Sequence, residues 1–449
     1  MIPIVDKINS PHKHHEAPSG LTKEQTRKSI GYSMVDAVSG TVSGGLTGAY
    51  ITPFALSMQA TTQQIGFLTS LPNFMNMLTA LFTPMISERL GSRKTLLVSS
   101  VFVQALMWLP MLLIPYIFHT NQVWWLIAFV SLSTITGALS SSPWSSIMAD
   151  LLPPEIRGRY FGMRNRITSI ISLIFSFVAA GLLQWFTGNT RLAFSIIFAG
   201  ATCSRLISVY GLSQMFEPHP VMPPNTPKES IPQIARKLFS TNIGRFIIFA
   251  VLLNFAQNID APFFSAYLLR GLKISYIEYQ IINSMMAIVA IFVVAWWGKR
   301  ADRAGNIKIL HIAALMIPFV SILWTLNSSV VWLCTVQVYS GFAWAGFNLC
   351  VGLFIYDAAP QENRTRFIAF FGALNAFAVT LGSLIGGNLG PHLPKISGSY
   401  FLTLFLMAGI IKLAVVLGLF RRIEEVRDVP SMKAIDILFG GLRRRKISD

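Results

Sequence analysis

Asp150-Leu151-Leu152-Pro153-Pro154-Glu155-Ile156-Arg157-Gly158-Arg159-Tyr160 returns 207 residues later as Asp357-Ala358-Ala359-Pro360-Gln361-Glu362-Asn363-Arg364-Thr365-Arg366-Phe367. In both copies a long apolar run carrying Trp144 or Trp344 leads into Asp. Pro follows three residues on, then Arg-x-Arg and an aromatic ring. The same offset aligns Arg205 with Lys412, Gly211 with Gly418 and Leu212 with Leu419. Agreement at separated segments points to one unit used twice, and a duplicated unit in an apolar background is the pattern of a membrane protein built from two similar halves.

That background is pervasive. Of 449 residues, 53% are hydrophobic and only 12% charged, more apolar surface than a water-soluble domain needs to bury. Apolar segments fall at 31–55, 64–86, 95–118, 123–148, 167–186 and 192–215, then at 246–268, 277–297, 309–325, 330–356, 367–388 and 399–420. Each approaches the roughly 20 residues of a bilayer crossing. The predicted fold is therefore an all-α integral membrane protein with twelve transmembrane helices in two pseudo-symmetric six-helix bundles. Bundles at 30–216 and 243–422 are expected, flanked by tails at 1–29 and 423–449. The linker between them, 217–242, is broken by Pro218, Pro220, Pro223, Pro224, Pro227 and Pro232.

The net charge of +17 raises the question of nucleic acid, but its placement answers otherwise. Loops after even-numbered spans hold seventeen Lys and Arg, counting Arg164 and Arg166; the opposite loops hold four, Arg191, Arg270, Lys273 and Lys395. This is a positive-inside bias, so both termini are expected in the cytoplasm, with membrane lipid rather than nucleic acid as the partner of the basic surface. A prokaryotic plasma membrane is the expected location. The first 28 residues, with His12, His14 and His15, have no signal-peptide core and no carboxylate or Cys cluster, so no metal site is expected there. Cys203, Cys334 and Cys350 all lie inside spans and imply no disulfide framework. Contact of the Arg443–Lys446 run with anionic lipid and a solvated tail are equally open readings.

A second repeat, at offset 214, sits in the loops after spans two and eight: Glu88-Arg89-Leu90-Gly91-Ser92-Arg93-Lys94 and Gly298-Lys299-Arg300-Ala301-Asp302-Arg303-Ala304-Gly305-Asn306-Ile307-Lys308. Turns this short need Gly91 and Gly305, which tolerate positive φ. The second copy resembles the major facilitator superfamily signature, Gly-x-x-x-Asp-Arg-x-Gly with trailing basic residues. The first copy carries Pro84 in place of the leading Gly and Glu88 in place of Asp. The resemblance spans residues 30 to 422 and implies a transporter with gating charges at these loops: Arg89 paired with Asp150, and Arg303 paired with Asp357, with Glu88 and Asp302 beside them. Simple helix capping and topology anchoring is the competing reading of the same charges. The resemblance also implies that spans one, four, seven and ten flank the solute cavity.

Ionisable groups inside spans are the next signal, because each must face a partner or a cavity. Asp36 falls about six residues into the first predicted span, where pairing with Arg164 or Arg205 and carrying a proton are alternatives. Asp260, in the seventh, is the first choice for a proton-coupling carboxylate. Asn254, Gln257 and Asn258 share its helix and are expected to line one pathway with it, together with Trp144, Trp344 and Asn348. Arg205 and Lys412 are expected to snorkel or to brace helices. The functional expectation is a secondary active transporter of a small-molecule substrate by alternating access, coupled to protons and monomeric. The competing expectation is a non-transporting sensor or assembly factor of the same fold. A Walker-type phosphate loop and a nucleophile–base constellation are both missing from the sequence, so neither a cofactor nor an enzyme is expected. The fifth span, with Phe175-Ser176-Phe177-Val178-Ala179-Ala180-Gly181, lacks the Gly-Pro-rich stretch of drug/proton antiporters, and Glu217-Pro218 only partly matches the sugar-porter pattern. Substrate class stays open.

Overall fold

The computed structural model describes residues 22–152, 154–218, 241–358, 364–420, 423–427 and 429. The histidine-bearing tail, most of the proline-rich linker, Pro153, residues 359–363 and the C-terminal basic run lie outside these residues. Twelve long helices are described: α1 (Lys23–Thr47), α2 (Thr62–Leu90), α3 (Arg93–Ile117), α4 (Gln122–Leu151), α5 (Pro154–Trp185), α6 (Thr190–Ser213), α7 (Asn242–Asp260), α8 (Tyr276–Ala304), α9 (Asn306–Leu323), α10 (Val330–Ala358), α11 (Arg364–Leu389) and α12 (Tyr400–Leu419). Their starts follow side-chain chemistry. Thr22 and Thr61 form capping boxes with Gln25 and Gln64, Ser92 accepts from the Thr95 amide, and Thr241 accepts from that of Gly244. These caps satisfy amides that have no partner within their own helix. At the two short turns, Gly91 has φ +65° and Gly305 φ +89°, the left-handed conformations that the loop repeat requires.

Eleven of the described helices are long and apolar enough to cross a membrane. α1 is the remaining long helix. Its 25 residues are sufficient in length, about 37 Å at 1.5 Å per residue, but Lys28, Asp36 and its Ser and Gly residues lower its hydropathy. It also starts earlier than the hydropathy pattern predicts and ends at Thr47, with a separate short helix, Ile51–Ser57, after it. Asp36 therefore stands thirteen residues beyond Lys23, about 20 Å along the helix, rather than about six residues into it. α5 likewise begins at Pro154, a residue suited to the first helical position, so Arg164, expected in a loop, is ten residues inside a helix.

The chain divides into two compact units, Met1–Asn225 with Lys273–Gln280, and Thr226–Leu272 with Ile281–Asp449. In the first, α1 packs on α5 and α6, and α3 on α4 and α6. In the second, α7 packs on α11 and α12, and α9 on α10 and α12. Each of these pairings recurs six helices on, which is the structural form of the sequence repeat. Lipid is as apolar as Leu, so close packing rather than exclusion from water must hold such helices together. Small residues permit it: a Cβ on Gly45 of α1 would lie 2.9 Å from the Ser172 carbonyl oxygen of α5, and one on Gly386 of α11 would collide with the Ile259 carbonyl of α7. Aromatic cores fill the rest, with Tyr160 against Phe161 in the first unit and Phe246 against Phe354 at 4.4 Å in the second.

Candidate functional site

Both units bury an acid from their first helix against a base from their sixth. In the second unit Asp260 of α7 meets Lys412 of α12, and both side chains are 0% exposed. Lys412 Nζ donates to both Asp260 oxygens at 2.9 Å and to Ser321 Oγ at 2.6 Å, while Ser321 Oγ donates to Asp260 Oδ2 at 2.5 Å. An ammonium has three N–H donors, and all three are used. Charge is balanced and every valence of the base is filled, so the triad ties α7, α9 and α12 together with nothing left over for a ligand.

The first unit differs. Asp36 of α1 accepts from Ser208 Oγ at 2.6 Å and lies 3.7 Å from Arg164 of α5 and 4.0 Å from Arg205 of α6. Arg205 spends its other donors on Gln104 Oε1, at 3.1 Å from Nε and 2.7 Å from Nη2. Room for this guanidinium comes from Gly40, where a Cβ would stand 2.6 Å from Nη1. Arg164 lies with its guanidinium carbon 4.4 Å from the centroid of the Trp144 ring, and Phe161 meets the same ring edge-on. One carboxylate thus faces two guanidinium groups. Arg164 Nε and Trp144 Nε1 are both buried and have no hydrogen-bond partner among the described residues. Asp36 is buried, with 9% of its side chain exposed, while the two arginines keep 20% and 19% of theirs.

At the loop ends the acids predicted for gating find other partners. Asp150 pairs with Arg93, not Arg89, at 2.6 Å, and Arg93 also donates to Ser146 Oγ and to the Pro218 carbonyl. Asp357 pairs with Arg427, not Arg303, at 2.8 Å and accepts from Asn306 Nδ2 at 2.6 Å. Helical side chains lean toward the N-terminus of their own helix. Arg89 and Arg303, in the last turns of α2 and α8, are exposed, whereas Arg93 begins α3 and reaches past its end to Asp150 of α4. Glu88 and Asp302 are exposed as well; Asp302 comes no closer than 4.0 Å to Arg427. Two further acids unforeseen in the sequence cap helix starts: Glu217 accepts from the Arg93 amide and Ser92 Oγ, and Glu425 from the Ile307 amide. The hydrogen bond to Asp357 holds the Arg427 guanidinium above its ordinary pKa.

The sequence pattern of the Major Facilitator Superfamily matches residues 33–269 and again 246–436. The chain belongs to the Major Facilitator Superfamily. It is thus an integral, multi-pass membrane transport protein. Its fold is similar to that of a point variant of the nucleoside transporter NupG, at 14% identity and TM-score 0.70 over 88% of this chain and 100% of that one. A bacterial homolog of the human lysosomal transporter Spinster gives 16% identity and TM-score 0.66 over 90% and 96%. A D-xylose-proton symporter gives 14% and 0.63 over 90% and 98%. No curated protein sequence matches the chain.

The remaining predicted residues of this superfamily member separate. Asn254 and Asn258 donate to carbonyls of their own helix, those of Ala250 and Asn254, and Gln257 is half-buried beside them. At about 100° per residue Asp260 lies roughly 120° from Asn254 and roughly 160° from Asn258, and only Gln257, about 60° away, adjoins its face. Trp344 is 8% exposed in the apolar core of the second unit, edge-on to Phe347, while Asn348 is exposed. Its repeat partner Trp144 instead holds Arg164. The repeat offset places Phe371 opposite Arg164, so the second copy has no cation there. That divergence within the repeat was the sequence signal for a role of Arg164 beyond the pairing with Asp36 that the sequence reading offered.

Proposed function

We propose that the chain is a secondary active transporter that moves a small solute by alternating access, and that solute and coupling proton are handled at Asp36, Arg164 and Trp144. The observation that carries this reading is the contrast between the two buried ion clusters. The Asp260–Lys412–Ser321 triad is sealed and complete, as a brace must be. In the Asp36 cluster the acid is buried but the two arginines reach the surface, and donors are left to spare, as a binding site must have. The proton role expected of Asp260 passes to Asp36 in this reading, because a carboxylate with no exposure and three hydrogen bonds has no route to water.

Residues 30–216 and 243–422 act as the two halves. The loop-charge bias supports cytoplasmic termini. The test is reconstitution into liposomes holding a pH-sensitive dye, challenged with sugars, nucleosides, carboxylates and organic phosphates. Nucleosides and D-xylose belong in that panel because two structural relatives are named for them. At least one solute is expected to drive a lumenal pH change in the wild type and none in Asp36→Asn; a wild type inert to the whole panel would remove the proposal.

A further inference from the structure

Within the first unit, the Asp36 cluster carries more positive charge than it can neutralise. Two guanidinium groups, Arg164 and Arg205, share the single carboxylate of Asp36, and no other acid lies within ion-pair distance of either among the described residues. The second unit, with one base and one acid, is neutral at the matching place. An uncompensated cation inside a membrane span is costly and persists where an anion visits it. Of the two arginines, Arg205 is committed: three of its nitrogens hydrogen-bond to Gln104 or Ser208. Arg164 is not. Its contacts are the 3.7 Å approach to Asp36 and the face of Trp144, and its Nε is buried without a partner. Trp144 Nε1 is a second buried donor without a partner, on the ring that Arg164 covers.

We infer that Arg164 and Trp144 form an oxyanion subsite, and that the transported solute carries a carboxylate or a phosphate whose oxygens accept from Arg164 Nε and Trp144 Nε1. An oxyanion matches all three deficits at once. It supplies the missing negative charge, accepts two donors from one group, and is planar or compact enough to lie against the guanidinium. A neutral polyol would satisfy the donors and leave the charge. The second half of the repeat, with Phe371 where the first has Arg164, offers no such subsite, so one oxyanion per transport cycle is expected. This inference rests on the transport site proposed above and adds the chemistry of its solute.

The experiment measures the thermal stabilisation of the purified full chain, in a non-ionic detergent, by short-chain carboxylates and phosphate monoesters. Each is paired with its uncharged amide or alcohol. At least one oxyanion is expected to stabilise the wild type where its neutral partner does not. Arg164→Gln should weaken that binding tenfold or more, about the loss of one charge-assisted hydrogen bond, and Trp144→Phe, which keeps ring and charge, about three- to tenfold. Trp144→Phe keeps the test decisive if Arg164→Gln fails to fold. Stabilisation by neutral analogues alone, or oxyanion binding untouched in both variants, overturns the inference. So does stabilisation by added phosphatidylglycerol with none by soluble oxyanions, since the site would then hold a lipid headgroup. Oxyanion binding that depends on Arg164 without any flux in liposomes would leave the subsite standing and remove the transport reading. Asp36-dependent flux of a neutral solute with no oxyanion binding would do the reverse.

Discussion

Replacing Lys412 by Met should be among the most damaging single changes available in the second unit. Lys412 and Asp260 are both 0% exposed, and the substitution strips two of the three hydrogen bonds from a carboxylate that cannot reach water. Removing one partner of a buried pair costs about 3–5 kcal/mol, because the other charge stays behind unpaired. At about 2–4 °C per kcal/mol for a unit of this size, the unfolding midpoint should fall by roughly 6–20 °C. Replacing both groups, Lys412→Met with Asp260→Leu, removes the stranded charge and should recover most of the loss. Arg205→Met is the internal control. Asp36 would keep its 2.6 Å bond from Ser208 and its approach to Arg164, so a loss of only about 1–2 kcal/mol is expected. Midpoints of the three variants in one detergent decide the matter. A Lys412→Met midpoint no lower than that of Arg205→Met, or a double variant worse than the single, would show that the triad is not the closed brace described here.

Gly40→Val should displace Arg205 from its bed, since even a Cβ would stand 2.6 Å from Nη1. Solute-driven flux should drop at least tenfold while the midpoint moves by less than that of Lys412→Met, read by parallel uptake and melting measurements. At the loops, Arg93→Gln should disturb the α3–α4 ends and Arg89→Gln should not; cysteine-accessibility labelling at position 146 should rise in the first variant alone. Arg427→Gln should cost about 0.5–1 kcal/mol, an exposed-pair value, because a third of its side chain is open to solvent. Its raised pKa means that this contribution is fully present below the ordinary arginine value and is lost only as pH rises through the folded value. The Arg427→Gln deficit should therefore be unchanged between pH 7 and 9, and a deficit that shrinks across that interval would contradict the pairing.

The fold was legible because its determinants are local. Hydropathy, the Asp150 and Asp357 repeat and the two glycine turns each follow from a few adjacent residues, and they led to twelve helices in two related sets. Helix starts were less legible. Thr22 caps α1 and Pro154 begins α5, both ahead of the apolar runs, so Asp36 and Arg164 stand further along their helices than hydropathy suggests. At the site, rarity of charge in spans was enough to single out Asp36, Asp260, Arg205 and Lys412, and to name Arg164 and Arg205 as the bases facing Asp36. Their polar partners were not readable, because Ser321, Ser208 and Gln104 come from helices far away in sequence and only packing brings them close. The loop acids show the same limit: Asp150 was recognised, but the choice of Arg93 over Arg89 depends on which end of a helix each occupies.

The claim most in need of a direct test is that the carboxylate taking part in transport belongs to α1 and not to α7. Solute-driven proton movement should be recorded in liposomes for Asp36→Asn and for the double variant Lys412→Met with Asp260→Leu, using any solute that moves protons with the wild type. Loss of proton movement in the first and its retention in the second is the expected result. Retention in Asp36→Asn together with loss in a well-folded double variant would contradict the account.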